Sequence, residues 1–392
     1  MKGAGTLASL VAAAVIAGLL LSLLKQRRTG DQEKDAAPTG IQQYVEDTVG
    51  LRFKSAPEIR RVAREVLLGA VGDTLTAQFG PGGLERRARA LELLGFHEFA
   101  ARSMRESLVG LHTIGVRGWL DEKEGHLLVP ADFDESKIED RVILHGLLAH
   151  LLIHQHSPKV IGRPGDDEQM AQAGLRAAIA ESIKARLRTE HREQFELPTS
   201  LVTEREALLS TLPIYLAALG ELPQERGAAR VYLETRLRTR ERTLPDLIEN
   251  PPRSTFELLR GNADRLRPPL LPAPGPGEEA QLEESLGALQ LQTLVEWLES
   301  YEQAQVLALL WRGDRYRLFA NAGGDHLLWI CQWETEAAAR KAAEILSRRQ
   351  DPPDTAKRAF SVTAQGKITV LANCAEAETL RSVQEQDFQD LQ

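Results

Sequence analysis

Residues 4–24, AGTLASLVAAAVIAGLLLSLL, carry no charge and only small or aliphatic side chains besides Thr6 and two serines. A run of about 20 apolar residues matches the hydrocarbon thickness of a bilayer. It therefore predicts a single transmembrane anchor over residues 1–28. A cleaved signal is the competing reading. Against it, the run is long for a signal core and is followed by Lys25, Arg27 and Arg28 rather than a small-residue cleavage site. Positive charge after the span holds that side in the cytoplasm, whereas Lys2 and the amino terminus pull the other way.

Beyond the anchor, residues 29–40 (TGDQEKDAAPTG) read as a polar tether. From 41 the spacing is helical. APEIRRVAREVLLGAV places Ile59, Val62, Ala63, Val66 and Leu67 on one helix face, and GGLERRARALELLGF repeats the pattern up to Gly95. The period then changes. Two short β-like runs around DEKEG predict a hairpin before 130. Helical spacing returns from about 136 to 156, stopped by Ser157-Pro158, and again over 166–190. The proline- and glycine-rich stretch 266–283 reads as a linker. Residues 284–392 then alternate hairpins with helices. The predicted architecture is α+β: a mainly helical domain with a small hairpin over 41–265, and a small C-terminal α+β unit.

The net charge of −8, with acidic and basic residues interleaved, gives no basis for nucleic-acid binding. Two cysteines, Cys331 and Cys374, exclude a cysteine-rich zinc module. They end neighbouring strand candidates, where one disulfide and two free thiols are both open. Trp119, Trp311, Trp329 and Trp333 read as packing residues, and Asp314 and Arg315 as fixing the entry to a strand.

The chemistry turns on HGLLAHLLIHQH, residues 145–156. A zinc peptidase of the HExxH type needs two histidines four apart, a rotation of about 400°, with a glutamate after the first as general base. His145 and His150 are five apart and do not share a face. His150 and His154 do, but Leu151 follows His150. No register gives HExxH.

The surroundings nevertheless resemble a family of membrane-anchored, zincin-like metallopeptidases of bacteria and archaea, whose active helix reads like LAHELTHALQDQHF. ILHGLLAHLLIHQHS aligns with it without a gap. His150 matches the second metal histidine and Gln155-His156 the trailing QH, while Gly146 and Leu147 stand at the first ligand and the general base. AIAESIKA is similar to the family's ALVEGDA and keeps Glu181, with Ile183 where the aspartate would be. VRGWLDEKEGHLLV, NPPRSTFELLRG and RGDRYRLFANAGGDHLLWICQWETEAAARKAA resemble further family segments in the same order, over about residues 49 to 375. The resemblance implies a zincin-like fold whose active helix has lost one ligand and its base. No catalytic residue, metal or cofactor is then expected, and His150, His154 and Glu181 are relic candidates. The expected role is that of a membrane-anchored pseudopeptidase that binds or scaffolds, with a protein or peptide partner in the former cleft. Family members that cleave peptides face outside, which favours an extracytoplasmic body. The rivals are a metal-dependent hydrolase built on His150, His154 and Glu181, and a structural envelope protein.

Overall fold

The computed structural model describes residues 33–36, 38–100, 103–114, 116–157, 165–192, 199–224, 227–261, 266–275, 277–348 and 358–385. The anchor expected over 1–28 lies outside them. Among the described residues no helix is long and apolar enough to cross a membrane. The architecture is α+β, as the patterning predicts.

The chain enters through β1 (Glu33–Ala36), inside the stretch read as a tether, and α1 (Thr39–Val49). The stretch read as one helix from 56 instead opens with β2 (Glu58–Val62), and α2 (Arg64–Phe79) follows. Ile59 and Val62 are buried as the spacing requires, but against a sheet. The reason is long-range: residues 59–62 pair in parallel with 127–130, a partner that no local period reveals. Next come α3 (Gly83–Leu94), ended by Gly95, and α4 (Met104–Thr113), capped by Ser103. The hairpin of β3 (Trp119–Asp121) and β4 (His126–Pro130) forms where DEKEG predicts it. Asp121 Oδ1 accepts the amides of Lys123 and Glu124, each at 3.1 Å, which closes the turn. The sheet order is β1-β2-β4-β3, leaving β3 at an edge.

Two long helices follow, α5 (Ile138–His156), starting two residues later than the spacing predicts, and α6 (Asp166–Glu190), with the predicted bounds. Arg117 grips Asp140 in the first turn of α5 through two bonds, 2.8 and 3.1 Å, which fixes the helix against the approach to β3. Then come α7 (Thr199–Leu209), α8 (Ile214–Glu221), α9 (Ala228–Arg238), α10 (Leu244–Glu249) and α11 (Thr255–Arg260).

The C-terminal part is β5 (Glu279–Glu284), α12 (Ala288–Leu298), α13 (Tyr301–Leu310), β6 (Trp311–Asn321), β7 (Gly324–Trp333), α14 (Glu336–Leu346), β8 (Ala359–Gln365), β9 (Ile368–Cys374) and α15 (Ala377–Gln384). Its antiparallel sheet runs β5-β6-β7-β9-β8. Strand β5 begins within the stretch read as linker. One apolar core, from Ile41 to Leu371, runs through both parts of the chain. Polar ties reinforce it: Arg87 on α3 bonds Asp166 on α6 at 2.6 Å and Glu284 on β5 at 2.7 Å.

Asp314 lies at that junction, wholly buried. It accepts the amides of Leu286 and Gly287 and the indole N–H groups of Trp311 and Trp329, at 2.7 to 3.2 Å. Trp311, Trp329 and Trp333 are core residues, and Trp119 is half-buried. Cys331 and Cys374 are both free and buried. Cys331 pairs with Thr369 across the β7–β9 ladder, and Cys374 sits five residues further along β9. That is about 17 Å at 3.4 Å per residue, and an odd offset puts the thiols on opposite faces. A disulfide needs Cα atoms within about 7 Å, so these two do not pair.

Candidate functional site

Helices α5 and α6 pack side by side and form one wall of a cleft of about 2280 Å³. Helix α2, α4 and β3 supply the other side, and His150, His154, Gly146, Leu147, Glu181 and Lys184 all line it. The residues singled out in sequence therefore do share one place in the fold.

They do not form a metal centre. Among the described residues no three His, Cys, Asp or Glu side chains converge as a metal-holding group, His150, His154 and Glu181 included. The reason lies on α6, one turn beyond Glu181. Lys184 lays its aliphatic stem across Gly146. A Cβ on Gly146 would stand 2.9 Å from Lys184 Cδ and 3.2 Å from Cγ. The space that a ligand side chain at 146 needs is occupied by methylenes. The Lys184 ammonium is paired with Glu181, and Arg188 Nη1 lies 3.9 Å from the other carboxylate oxygen. A zinc ion needs at least three converging donors. Here the single carboxylate is already committed to cations, so the residues present do not fit zinc.

Electrostatics follow from this arrangement. His150 lines the cleft but is otherwise enclosed by protein. Burial, reinforced by Arg176 and Lys184 and opposed by Glu181, pushes its pKa down to about 4. It is a neutral imidazole at ordinary pH. Burial alone would raise Glu181, but Lys184, Arg188 and His150 outweigh it, and the carboxyl stays below its usual range. Leu147 packs its methyl groups against Gly118, so the position where the resemblance would put a general base is part of the apolar wall.

The other histidines have structural work. His145 is buried, its Nδ1 2.7 Å from the Arg141 carbonyl and its ring edge-on to Tyr44. Burial, first among the causes, lowers its pKa. His156 Nε2 meets the Arg52 carbonyl at 2.7 Å, and Gln155 Oε1 accepts the Lys54 amide at 2.7 Å. The trailing Gln-His pair thus clamps the loop before β2 onto the end of α5. Lys184 was the residue missed in sequence. Its signal was present: it lies three residues after Glu181, on the same helix face.

Neither a family model, nor a curated protein, nor a solved structure matches the chain.

Proposed function

We infer that this chain is a membrane-anchored, catalytically inactive zincin-like protein whose body lies outside the cytoplasm and binds or scaffolds a protein or peptide through the cleft. The observation that carries the inactive part is Lys184. A lysine cation, held by Glu181 and stretched over Gly146, stands where the resemblance to the metallopeptidase family would put a metal and its first histidine. The apolar run over 4–24 supports the anchor, and the family role supports the outward side.

The full-length chain, purified in detergent, is expected to hold zinc well below one equivalent. One tightly held zinc per chain, lost on His150→Ala, would overturn the reading. Rebuilding the motif needs three changes, Gly146→His, Leu147→Glu and Lys184→Ala, because the lysine stem must leave before an imidazole can enter. Zinc uptake by the triple variant, and not by the variant that keeps Lys184, supports the alignment of the two helices. For the anchor, the full-length chain is expected in the membrane fraction, with an active alkaline phosphatase fused at its C-terminus. A mature chain starting near residue 30 would show a cleaved signal instead.

A further inference from the structure

The cleft extends well beyond the relic residues. On α6 its lining runs from Asp166 to Arg188, about 33 Å at 1.5 Å per residue. The two ends differ in chemistry. Around Lys184 the walls are charged. Around Asp166 they are aliphatic: Leu75, Leu91, Met104, Leu108, Leu111 and Met170 all face the cleft. The sequence has three methionines, and the two after Met1 are both in this wall. Methionine is the side chain that adapts most readily to apolar shapes of variable outline.

Two phenols complete this inner end. Tyr215 on α8 is 6% exposed and Tyr316 on β6 is 2% exposed, and both line the cleft. Among the described residues neither hydroxyl has a hydrogen-bond partner. Burial raises both phenols well above the ordinary tyrosine value, so they remain neutral donors and acceptors. The nearby charges are spent. Arg87 is committed to Asp166, Glu284 and the Gly83 carbonyl, and Asp166 adds a carboxylate to the same wall. An anionic group would meet that carboxylate beside an Arg87 guanidinium that is already committed.

We propose that the inner end of the cleft binds a long-chain neutral amphiphile, its uncharged amide or ester head hydrogen-bonded to Tyr215 and Tyr316 and its chain lying along the Leu108–Leu111–Met104 wall. A peptide fits this chamber poorly. It would bring an amide group every 3.4 Å or so, and each needs a partner. The helical walls have spent their own backbone groups internally, and polar side chains at this end bond to one another, Arg87 to Asp166 and Gln78 to Gln169. A chain with a single polar group meets both constraints. This goes beyond the pseudopeptidase reading and holds whatever the fate of the relic end, because no residue of the chamber belongs to the former ligand set.

The test is photo-crosslinking of the full-length chain in its membrane with a diazirine-bearing palmitamide, with adducts mapped by peptide mass spectrometry. Adducts are expected on the peptides carrying Met104, Leu108 and Leu111. Unlabelled palmitamide is expected to compete at least tenfold better than palmitate. Tyr215→Phe with Tyr316→Phe should reduce labelling about tenfold while leaving the melting temperature close to wild type, and Leu108→Trp should block the chamber. Adding zinc or a chelator should change nothing, which separates this result from any metal bound at the other end. Labelling confined to residues 4–24, no labelling, equal competition by palmitate, indifference to the tyrosine pair, or stronger competition by an extended apolar peptide would each overturn the proposal.

Discussion

The half-buried His150 and the buried Asp167 are ionisable side chains whose protonation pulls stability in opposite directions. The folded pKa of His150 is depressed from 6.5 to about 4. Its contribution is therefore complete above about pH 6.5 and is lost as pH falls through 4, because the unfolded chain takes the proton first. That shift corresponds to at most roughly 3 kcal/mol, less where cleft water screens the ring. Asp167 behaves oppositely. It sits in the first turn of α6, with Oδ1 accepting the Thr255 amide at 3.1 Å and its hydroxyl at 2.5 Å, and it faces Gly287, where a Cβ would stand only 2.0 Å away. Burial, with Asp314 nearby, pushes its pKa up to about 7 despite the Thr255 bonds. Its contribution is present below about pH 4 and fades as pH rises through 7. Denaturant melts from pH 4 to 8 are expected to show both slopes. His150→Gln should remove the acid-side loss, and Asp167→Asn should flatten the fall in stability toward pH 8 and stabilise the protein there. An unchanged alkaline limb in Asp167→Asn would mean that the carboxyl ionises freely in the fold.

At the scale of elements, the decisive contact is that between α5 and α6. Gly146 lies inside a helix, where alanine is ordinarily better by about 1 kcal/mol. Lys184 reverses that preference, since a Cβ at 146 would press on its stem at 2.9 Å. Gly146→Ala alone is therefore expected to be neutral or destabilising. In a Lys184→Ala background the same change should stabilise by about 1 kcal/mol. A coupling near zero in this double-mutant cycle would show that the stem does not hold its place over the glycine. Leu147, Leu148, Leu151 and Leu152 are all buried, so α5 is anchored on several sides and is a rigid platform for this comparison.

For the whole molecule, the shared core and the Arg87 and Asp314 ties make the helical part and the C-terminal sheet one cooperative unit. A single unfolding transition is expected by calorimetry and by tryptophan fluorescence alike. Asp314→Ala would leave two backbone amides and two indole N–H groups unpaired in the interior, and should cost at least 3 kcal/mol. Two separate transitions in the wild-type chain would instead mean that the C-terminal part folds alone. Much of this arrangement was legible in the amino-acid order. Helix spacing marked α5 to within two residues and α6 at both ends, turn-forming residues marked three hairpins, and the absence of HExxH was plain, because each depends on residues a few positions apart. The rest depends on partners far away in the chain. Ile59 and Val62 fit a helix face as well as a strand, and only pairing with β4 decides between them. Cys331 and Cys374 end neighbouring strands, and only the ladder register puts them on opposite faces. Tyr215 and Tyr316, about a hundred residues apart, line a common cleft only once the chain has folded. The sequence by itself determined the local periods, the absence of HExxH, and the glycine and leucine at 146 and 147. The tertiary structure decided what covers Gly146, because a lysine stem over a glycine is a contact between two helices and leaves no trace in the period of either.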